Sequence, residues 1–301
     1  MSTTATASEK KSVPKLKAPA GSCDTHMHFY DKRFPLAKTA ASAPPEDGSV
    51  ATYRAMQRRI GFSRTVVVQP TAYGLDNSCT LAGMAELGKA NARGVAVIDD
   101  KTPESDLDAM QKDGFRGIRL NLATGGVNDP NVGKPRFQAA VDRVKARGLH
   151  VQLFTSLAMI SAIKDLVSTS PVPVVFDHFG GAQAELGLDQ PGFADLVELV
   201  RSGKAYVKIS GAYRASKLAP DYPDAAPLAR ALIAANPDRV VWGTDWPHPD
   251  SVTPPGRKAT EVTPLFQIDD GRLLNQLAVW SPDEATRRKI LVDNPALLYG
   301  F

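Results

Sequence analysis

The sequence predicts a (β/α)8 barrel, and three observations support this fold class. Eight short segments rich in β-branched residues alternate along the chain with segments of helical hydrophobic periodicity. Most of the predicted strands are continuous apolar runs, which is typical of parallel strands covered by helices. The chain has 301 residues, 43% of them hydrophobic, and one such barrel takes about 250 residues. Eight repeated βα units favour a closed barrel over an open doubly wound sheet.

The strands and helices can be placed in order because glycine and proline residues interrupt the pattern between them. The predicted strands are 22–26, 64–69, 94–98, 116–120, 150–154, 172–177, 205–209 and 240–243. The predicted helices between them are 50–60, 80–91, 104–112, 135–147, 158–168, 193–201 and 225–235. Two more helices are predicted after the eighth strand, at 272–280 and 283–292. The predicted folded part is a single barrel domain that spans 22–301.

Two long segments without regular periodicity interrupt this repeat, at 30–49 and at 247–270. Each follows the carboxyl end of a strand, which is the face on which barrel enzymes build their active sites. Long loops in a compact domain are often functional, and an insertion without a role is the alternative. We predict that both segments form walls or lids over a pocket at the barrel mouth.

The first 21 residues are polar and basic, and they are predicted to form a flexible tail. Four lysines and one glutamate give this segment a charge of +3, out of +4 for the chain. The rest is nearly neutral, which argues against a nucleic-acid-binding face. No signal peptide and no apolar run of about 20 residues occurs, so no membrane partner is predicted. The two cysteines lack Cys-x-x-Cys spacing, and we interpret the chain as a cytoplasmic protein with reduced thiols.

Polar residues gather at the carboxyl ends of three predicted strands. His26 and His28 end the first strand, where side chains two residues apart point to the same side. His178 follows the sixth strand and Asp245 follows the eighth. Because these strand ends meet at one mouth of a parallel barrel, we predict an active site there. A histidine at the opposite face, His150, is predicted to be structural.

Three motifs around these residues resemble the amidohydrolase superfamily. They are Asp-Thr-His-Met-His at 24–28, Phe-Asp-His-Phe-Gly-Gly at 176–181 and Gly-Thr-Asp-Trp-Pro-His at 243–248. The resemblance extends over nearly the whole chain and includes Asn-Pro-Ala at 294–296. The runs at 69–77 and 117–121 resemble the branch that contains 2-pyrone-4,6-dicarboxylate lactonase, 4-sulfomuconolactone hydrolase and galactarolactone isomerase.

The resemblance implies a role for each residue of the predicted site. Asp245 would be the general base that activates water, while His26, His28 and His178 would polarise the carbonyl of the substrate. The chemistry agrees, because opening an ester or lactone needs a nucleophilic water and stabilisation of the developing oxyanion. The histidines would act either directly or through one divalent ion, held by these three histidines and by Asp245.

A single metal ion is expected rather than a bridged pair. The fifth predicted strand, 150–154, has no lysine or histidine at its carboxyl end, where the binuclear members of the superfamily carry one. A mixture of nitrogen and oxygen ligands with an open position suits Zn²⁺, which is therefore the predicted metal. Some members of the resembling branch work without metal, so a metal-independent site is the alternative.

The resemblance also implies a small anionic substrate, because lactones in this branch carry carboxylate or sulfonate groups. Arginine forks recognise such groups, and the candidates are Arg119 near the end of the fourth strand and Arg214 after the seventh. Tyr73 and His248 are the other predicted substrate-binding residues. Lys208, inside the seventh strand, is expected to pair with a buried carboxylate or to lie beneath the mouth.

The predicted function is that of a hydrolase that opens the lactone of a small organic acid, in the catabolism of aromatic compounds or sugar acids. A lactone isomerase and a metal-dependent decarboxylase are the alternatives, and a non-catalytic barrel is a more distant one. Segment 123–128 lacks the further arginine that the dicarboxylate lactonase uses, which weakens the case for pyrone dicarboxylate as the substrate. We expect a monomer or a homodimer.

Overall fold

The computed structural model describes residues 12–40, 43, 45, 47–123, 126–250 and 261–301. It contains one sheet of eight parallel strands, which pair in sequence order from β1 to β8. The strands are β1 (Cys23–Met27), β2 (Arg64–Val68), β3 (Ala92–Ala96), β4 (Phe115–Asn121), β5 (His150–Phe154), β6 (Val174–Phe176), β7 (Ala205–Lys208) and β8 (Val240–Val241). The predicted (β/α)8 barrel is confirmed.

Hydrogen bonds just beyond β8 join the last strand to the first. The amide of Asp245 donates to the carbonyl of His26 at 2.8 Å. The amide of His28 donates to the carbonyl of Trp246, also at 2.8 Å. These bonds hold the end of β1 beside the segment that follows β8, so two parts of the predicted site share one backbone framework.

Helices alternate with the strands and cover the outside of the barrel. They are α1 (Val50–Ile60), α2 (Ser78–Leu87), α3 (Glu104–Asp113), α4 (Pro130–Val144), α5 (Leu157–Ser168), α6 (Phe193–Arg201), α7 (Ala212–Ala215), α8 (Ala226–Ala235), α9 (Asp270–Trp280), α10 (Glu284–Arg288) and α11 (Asn294–Tyr299), with a π-helical turn at Lys289–Asp293. The predicted bounds of α1 are confirmed. Ser49 caps its start by accepting from the Thr52 amide, and Gly61 ends it with a left-handed φ of 78°.

Several predicted boundaries differ from the structure: the predicted helix 283–292, for example, is divided into α10 and the π-helical turn at Lys289–Asp293. In two further cases a local signal was given too little weight. The sequence analysis starts α4 at Pro135, whereas the helix begins at Pro130 and contains Pro135. Asp129 caps the helix by accepting from the Asn131 amide, and proline is tolerated in the first turn, where no amide donor is needed. The second is β3, which lies two residues earlier than predicted because α2 ends at Leu87 rather than at residue 91.

The barrel interior is apolar at its floor and polar at its mouth. Tyr299 of α11 lies at the floor, and its packing partners there are Cys23, Val66, Val68 and Val95. The ring of His150 is buried 5.3 Å from the ring of Tyr299. This position fits the structural role predicted for His150 and leaves the upper interior to the polar side chains.

The two predicted insertions contact each other. The amide of Ala43 donates to the carbonyl of Glu261 at 2.8 Å, and the amide of Thr263 donates to the carbonyl of Ala43 at 2.8 Å. A loop that follows β1 is thereby joined to a loop that follows β8. Residues 251–260 of the second insertion, and 41, 42, 44 and 46 of the first, lie outside the described residues, so their role as a lid stays a prediction.

Part of the predicted tail runs along α9. The amide and the hydroxyl of Ser12 donate to the Asp269 carboxylate at 2.8 and 2.6 Å. The amides of Lys15 and Leu16 donate to the side-chain oxygen of Asn275 at 2.7 and 3.0 Å. These bonds attach the segment to the barrel, while residues 1–11 of the predicted tail lie outside the described residues. Among the described helices, none has the length and apolar character needed to cross a membrane.

Candidate active site

Four of the predicted residues meet above the strands. His26 lies in β1 and His28 just after it, His178 follows β6, and Asp245 follows β8. Oδ1 of Asp245 is 3.7 Å from Nε2 of His26 and 3.5 Å from Nε2 of His28. Oδ2 of Asp245 is 3.8 Å from Nε2 of His178. All four side chains are buried, so these residues converge at one point of the barrel mouth.

The backbone at this point adopts conformations that side chains disfavour. His178, Asp245 and His248 have φ values of 47°, 64° and 70°. A left-handed non-glycine residue costs about 1–3 kcal/mol, and such residues cluster at functional sites. The neighbouring Gly211 leaves room for the cluster, since a Cβ there would lie 3.2 Å from Oδ2 of Asp245 and 3.3 Å from Nδ1 of His178.

A hydrogen bond of His28 fixes which of its ring nitrogens faces the site. Nδ1 of His28 lies 2.8 Å from the carbonyl oxygen of Val68, which can only accept. Nδ1 therefore carries a proton, and in the neutral form of the ring Nε2 presents its lone pair to Oδ1 of Asp245. These two acceptors face each other at 3.5 Å, an arrangement that calls for a hydrogen-bond donor or a cation between them.

Nδ1 of His26 has two neighbours of opposite character. Oδ1 of Asp177 lies 3.2 Å away, and Nζ of Lys208 lies 3.3 Å away. Burial lowers the pKa of His26 well below its usual value, so the ring is neutral and carries one proton. Within the described part of the chain, Nε2 of His26 and Oδ1 of Asp245 form no hydrogen bond.

Asp177 is the centre of a buried polar network beneath the histidines. Its Oδ2 accepts from Nε of Arg119 and from Nε2 of Gln152, each at 3.1 Å. Lys208 lies 3.5 Å from Oδ1, so it pairs with a buried carboxylate as expected. Burial alone would raise the pKa of Asp177, but His26, Lys208 and Arg119 hold it well below its usual value. Burial lowers the pKa of Lys208 to about 8.

Oδ2 of Asp245 is held by two residues that follow β7. Nε of Arg214 donates to it at short distance, and the hydroxyl of Tyr213 donates to it at 2.7 Å. Arg214 also donates to the carbonyl of Pro249 at 3.0 Å, which ties the two loops together. Burial alone would raise the pKa of Asp245, but Arg214 and His178 hold it well below its usual value. Asp245 is therefore an ionised carboxylate with one oxygen fixed.

Arg119, the other predicted arginine, lies below the mouth. Its guanidinium is stacked over the ring of Phe154, 5.4 Å from the ring centroid. Nε of Arg119 donates to Oδ2 of Asp177. The two terminal nitrogens form no hydrogen bond with any described residue. The arrangement leaves a planar, positively charged group available to a ligand in the barrel mouth.

Tyr73 and His248 are not brought into the cluster. The hydroxyl of Tyr73 accepts from the amide of Asp31 at 2.7 Å and donates to the carbonyl of the same residue at 2.9 Å. Nε2 of His248 lies 2.9 Å from Oδ1 of Asp270. Both side chains thus hold loop or helix positions around the site, and their predicted contact with substrate stays a prediction.

Several residues in and around the cluster were given no role from the sequence, among them Asp177, Gln152 and Tyr213. Asp177 stands directly before His178 at the end of β6, so its position at the strand end was an available signal. Gln152 lies two residues before Phe154 on β5 and therefore faces the same side of the sheet. Tyr213 lies in the short helix α7, where neither strand alternation nor spacing shows its direction.

Among the described residues, two groups of buried ligand atoms have the spacing of a metal site. They are His26, His28 and Asp245, and His26, Asp177 and His178. Tetrahedral Zn²⁺ with bonds of about 2.0–2.1 Å separates its ligand atoms by about 3.4 Å. The separations of 3.5 and 3.7 Å around Oδ1 of Asp245 fit this requirement. The second group fits less well, because cationic side chains already neutralise Asp177. The group that fits zinc, His26, His28 and Asp245, does not include His178, the fourth predicted ligand.

The fold and the site agree with the comparison to known families, which matches residues 23–301 to an amidohydrolase family model. The chain belongs to this amidohydrolase family. The match covers both ends of the site, from the histidines of β1 to the aspartate after β8. The family resemblance inferred from the motifs is confirmed.

Curated relatives cover nearly all of this amidohydrolase. It is 35% identical to a 4-sulfomuconolactone hydrolase of Hydrogenophaga intermedia, over 94% of this chain and 89% of the relative. It is 31% identical to a 2-pyrone-4,6-dicarboxylate hydrolase of Comamonas testosteroni, over 96% and 93%. It is 32% identical to a D-galactarolactone isomerase of Agrobacterium fabrum, over 95% and 94%.

A solved structure has the same architecture. An apo crystal structure of an Agrobacterium tumefaciens protein superimposes with a TM-score of 0.80 at 30% sequence identity. The superposition covers 96% of this chain and 98% of that protein. The two chains therefore share the barrel fold over nearly their full length.

Proposed function

We propose that this amidohydrolase opens the lactone of a small anionic organic acid, with Asp245 activating the water that attacks the carbonyl. Relatives that are named as hydrolases of a muconolactone and a pyrone support the reaction class. The observation that carries the proposal is the unequal surroundings of the two Asp245 oxygens. Oδ2 is fixed by Tyr213 and Arg214, while Oδ1 faces the lone pair of His28.

A water molecule that bridges Oδ1 of Asp245 and Nε2 of His28 from the side would satisfy both acceptors. It would donate one hydrogen to each atom and keep a lone pair for the substrate carbonyl. Asp245 then takes a proton as the new carbon–oxygen bond forms. A carboxylate with a low pKa is a weak base, so its effect depends on direct contact with the attacking water, which the 3.5 Å separation allows.

Ring opening also needs stabilisation of the oxyanion and a proton for the leaving oxygen. Arg119 would bind the anionic group of the substrate, since its terminal nitrogens have no hydrogen-bond partner among the described residues. Burial lowers the pKa of His178 to about 4, so at neutral pH the ring is neutral and can donate a hydrogen bond but not a proton. The proton for the leaving oxygen is the one that Asp245 takes from the attacking water. Nδ1 of His178 lies 2.9 Å from the Ser210 hydroxyl, which fixes the ring.

Zn²⁺ is the metal that the residues present would suit. His26, His28 and Asp245 would hold it, on the spacing described above. When bound, such an ion lowers the pKa of a coordinated water and stabilises a developing oxyanion. The residues around it would keep their roles: Tyr213 and Arg214 fix Asp245, and the arginines attract the anionic substrate.

The proposal is tested with purified protein and a panel of carboxylated and sulfonated lactones, with proton release and ring opening followed together. Hydrolysis releases one proton for each ring opened. Asp245→Asn should reduce kcat by about 10²–10⁴-fold. The same change at an exposed position, Asp189→Asn, serves as the control. Full activity in Asp245→Asn contradicts the proposal. Ring migration without proton release would indicate an isomerase, and release of carbon dioxide a decarboxylase.

A further inference from the structure

The two neighbours of Nδ1 of His26 demand opposite positions of the ring proton. Asp177 can only accept, so a hydrogen bond to it places the proton on Nδ1 and the lone pair on Nε2. Lys208 can only donate, so its hydrogen bond places the lone pair on Nδ1 and the proton on Nε2. Nε2 is the atom that faces Asp245. The position of the ring proton therefore decides whether His26 donates or accepts a hydrogen bond at the reaction centre.

The geometry favours Lys208 as the hydrogen-bonding partner. Nζ of Lys208 forms a hydrogen bond with Nδ1 of His26 at 3.3 Å. Oδ1 of Asp177 is slightly nearer, at 3.2 Å, but it has no hydrogen-bond partner among the described residues, so this contact lacks the required direction. The other oxygen of Asp177 already accepts from Arg119 and Gln152.

Lys208 is also held so that it cannot turn away. The side chain is fully buried, and Nζ donates to the carbonyl of Thr25 and to Oε1 of Gln152, each at 2.8 Å. Two of its three donor hydrogens are thereby used. The third remains for the space shared by His26 and Asp177, which lie 3.3 and 3.5 Å from Nζ.

We propose that Lys208 is a positioning residue that keeps the proton of His26 on Nε2, which makes His26 a hydrogen-bond donor in the metal-free enzyme. The inference rests on the proposed lactonase function, because the group that receives this hydrogen bond is the substrate carbonyl. Asp177 stabilises the opposite form, in which Nε2 of His26 has a lone pair for a divalent cation. Binding of zinc then requires the proton to move from Nε2 to Nδ1, and the charge of Lys208 opposes it.

The first test reads the proton position directly in the unaltered protein. The chain has five histidines, so ¹⁵N-histidine labelling gives few ring signals, and the His26→Gln variant assigns the one of interest. In chelator-treated protein we expect His26 with its proton on Nε2. His28 is the internal reference, since its bond to Val68 requires the proton on Nδ1. A proton on Nδ1 of His26 would overturn the proposal.

The second test uses zinc affinity, measured by competition with a chromophoric chelator. Lys208→Met removes a positive charge and the Nδ1 donor, so zinc should bind about 10- to 100-fold more tightly. Asp177→Asn removes the negative charge that favours the form of His26 with its proton on Nδ1 and a lone pair on Nε2, so zinc should bind more weakly. Lys204→Met, at an exposed position, is the matched control. General damage to the site would weaken binding in both variants, and such a parallel change contradicts the proposal.

A third test, by enzyme kinetics, connects the proton position of His26 to the reaction. In chelator-treated protein, Lys208→Met should lower kcat on an accepted lactone more than it raises KM, because the lost donor acts on the carbonyl in the transition state. An unchanged kcat contradicts the proposal. The first two tests need no lactone, so they separate a failure of this inference from a failure of the proposed lactonase function.

Discussion

Replacing Tyr213 by phenylalanine should move the acid limb of the pH profile of lactone hydrolysis to higher pH. The Tyr213 hydroxyl donates to Oδ2 of Asp245 at 2.7 Å, and Arg214 is the other donor to that oxygen. A hydrogen bond to a charged group contributes about 1.5–3 kcal/mol, which corresponds to about one to two pKa units at about 1.36 kcal/mol each.

The sign follows from the state of Asp245. Interaction with Arg214 and His178 outweighs burial and holds the pKa of Asp245 well below its usual value. Loss of the tyrosine donor destabilises the ionised form, so the pKa of Asp245 rises. Because the protonated carboxyl cannot accept a proton from water, kcat/KM should begin to fall at a pH about one to two units higher than in the unaltered enzyme.

The assay is the pH dependence of kcat/KM in chelator-treated protein, with the free energy of unfolding measured alongside. Tyr206→Phe is the matched control. Tyr206 is a residue of β7 near the floor, and its hydroxyl accepts from Arg239 at 3.3 Å, away from the cluster. The control should leave the acid limb in place. An acid limb that stays in place in Tyr213→Phe, or moves to lower pH, refutes the assignment of Asp245 as the base whose pKa Tyr213 sets.

Three further predictions test other parts of the site. Arg119→Lys should raise KM for carboxylated lactones by about tenfold with a smaller change in kcat, because lysine lacks the planar fork; an unchanged KM would remove Arg119 from substrate binding. Gly211→Ala should lower kcat as well as stability, since the added Cβ meets Asp245 and His178, whereas Gly88→Ala, whose Cβ meets nothing within 4 Å, should lower stability alone. Burial lowers the pKa of His150 to about 3, so the unfolded state binds a proton first and the free energy of unfolding should fall below pH 6.5, by about 2 kcal/mol at pH 5. His150→Gln should flatten that fall in acid denaturation curves, and an equally steep curve would count against a buried neutral imidazole.

The sequence predicts those parts of this molecule that depend on local pattern. Strand alternation and strand ends place His26, His28 and Asp245 at one mouth, and these side chains do meet. Cap residues also predict α1, because Ser49 and Gly61 act within a turn of the helix. The start of α4 was missed since two competing prolines, at 130 and 135, both resemble a helix start.

Hydrogen-bond partners across the barrel are beyond such patterns. Arg214 is predicted as a substrate-binding residue, but in the structure it bonds Asp245 across 31 positions of sequence. The Tyr73 hydroxyl bonds the backbone of Asp31, 42 positions away. Strand alternation gives the side of the sheet on which a residue lies, whereas its partner depends on the neighbouring loops. The roles of individual arginines and tyrosines therefore had to come from the coordinates.

The site separates two tasks between its two buried carboxylates. Asp177 lies below, where Arg119 and Lys208 neutralise it, and it contacts the reaction centre through Nδ1 of His26. Asp245 lies above, with one oxygen fixed and the other facing an imidazole lone pair. A site built only to hold a cation would not need Lys208 at 3.3 Å from one of its ligands. The position of this lysine is explained if His26 must also act as a hydrogen-bond donor. The proton position on His26, rather than metal content alone, therefore distinguishes lactone opening by a metal-free site from lactone opening by a site that holds zinc.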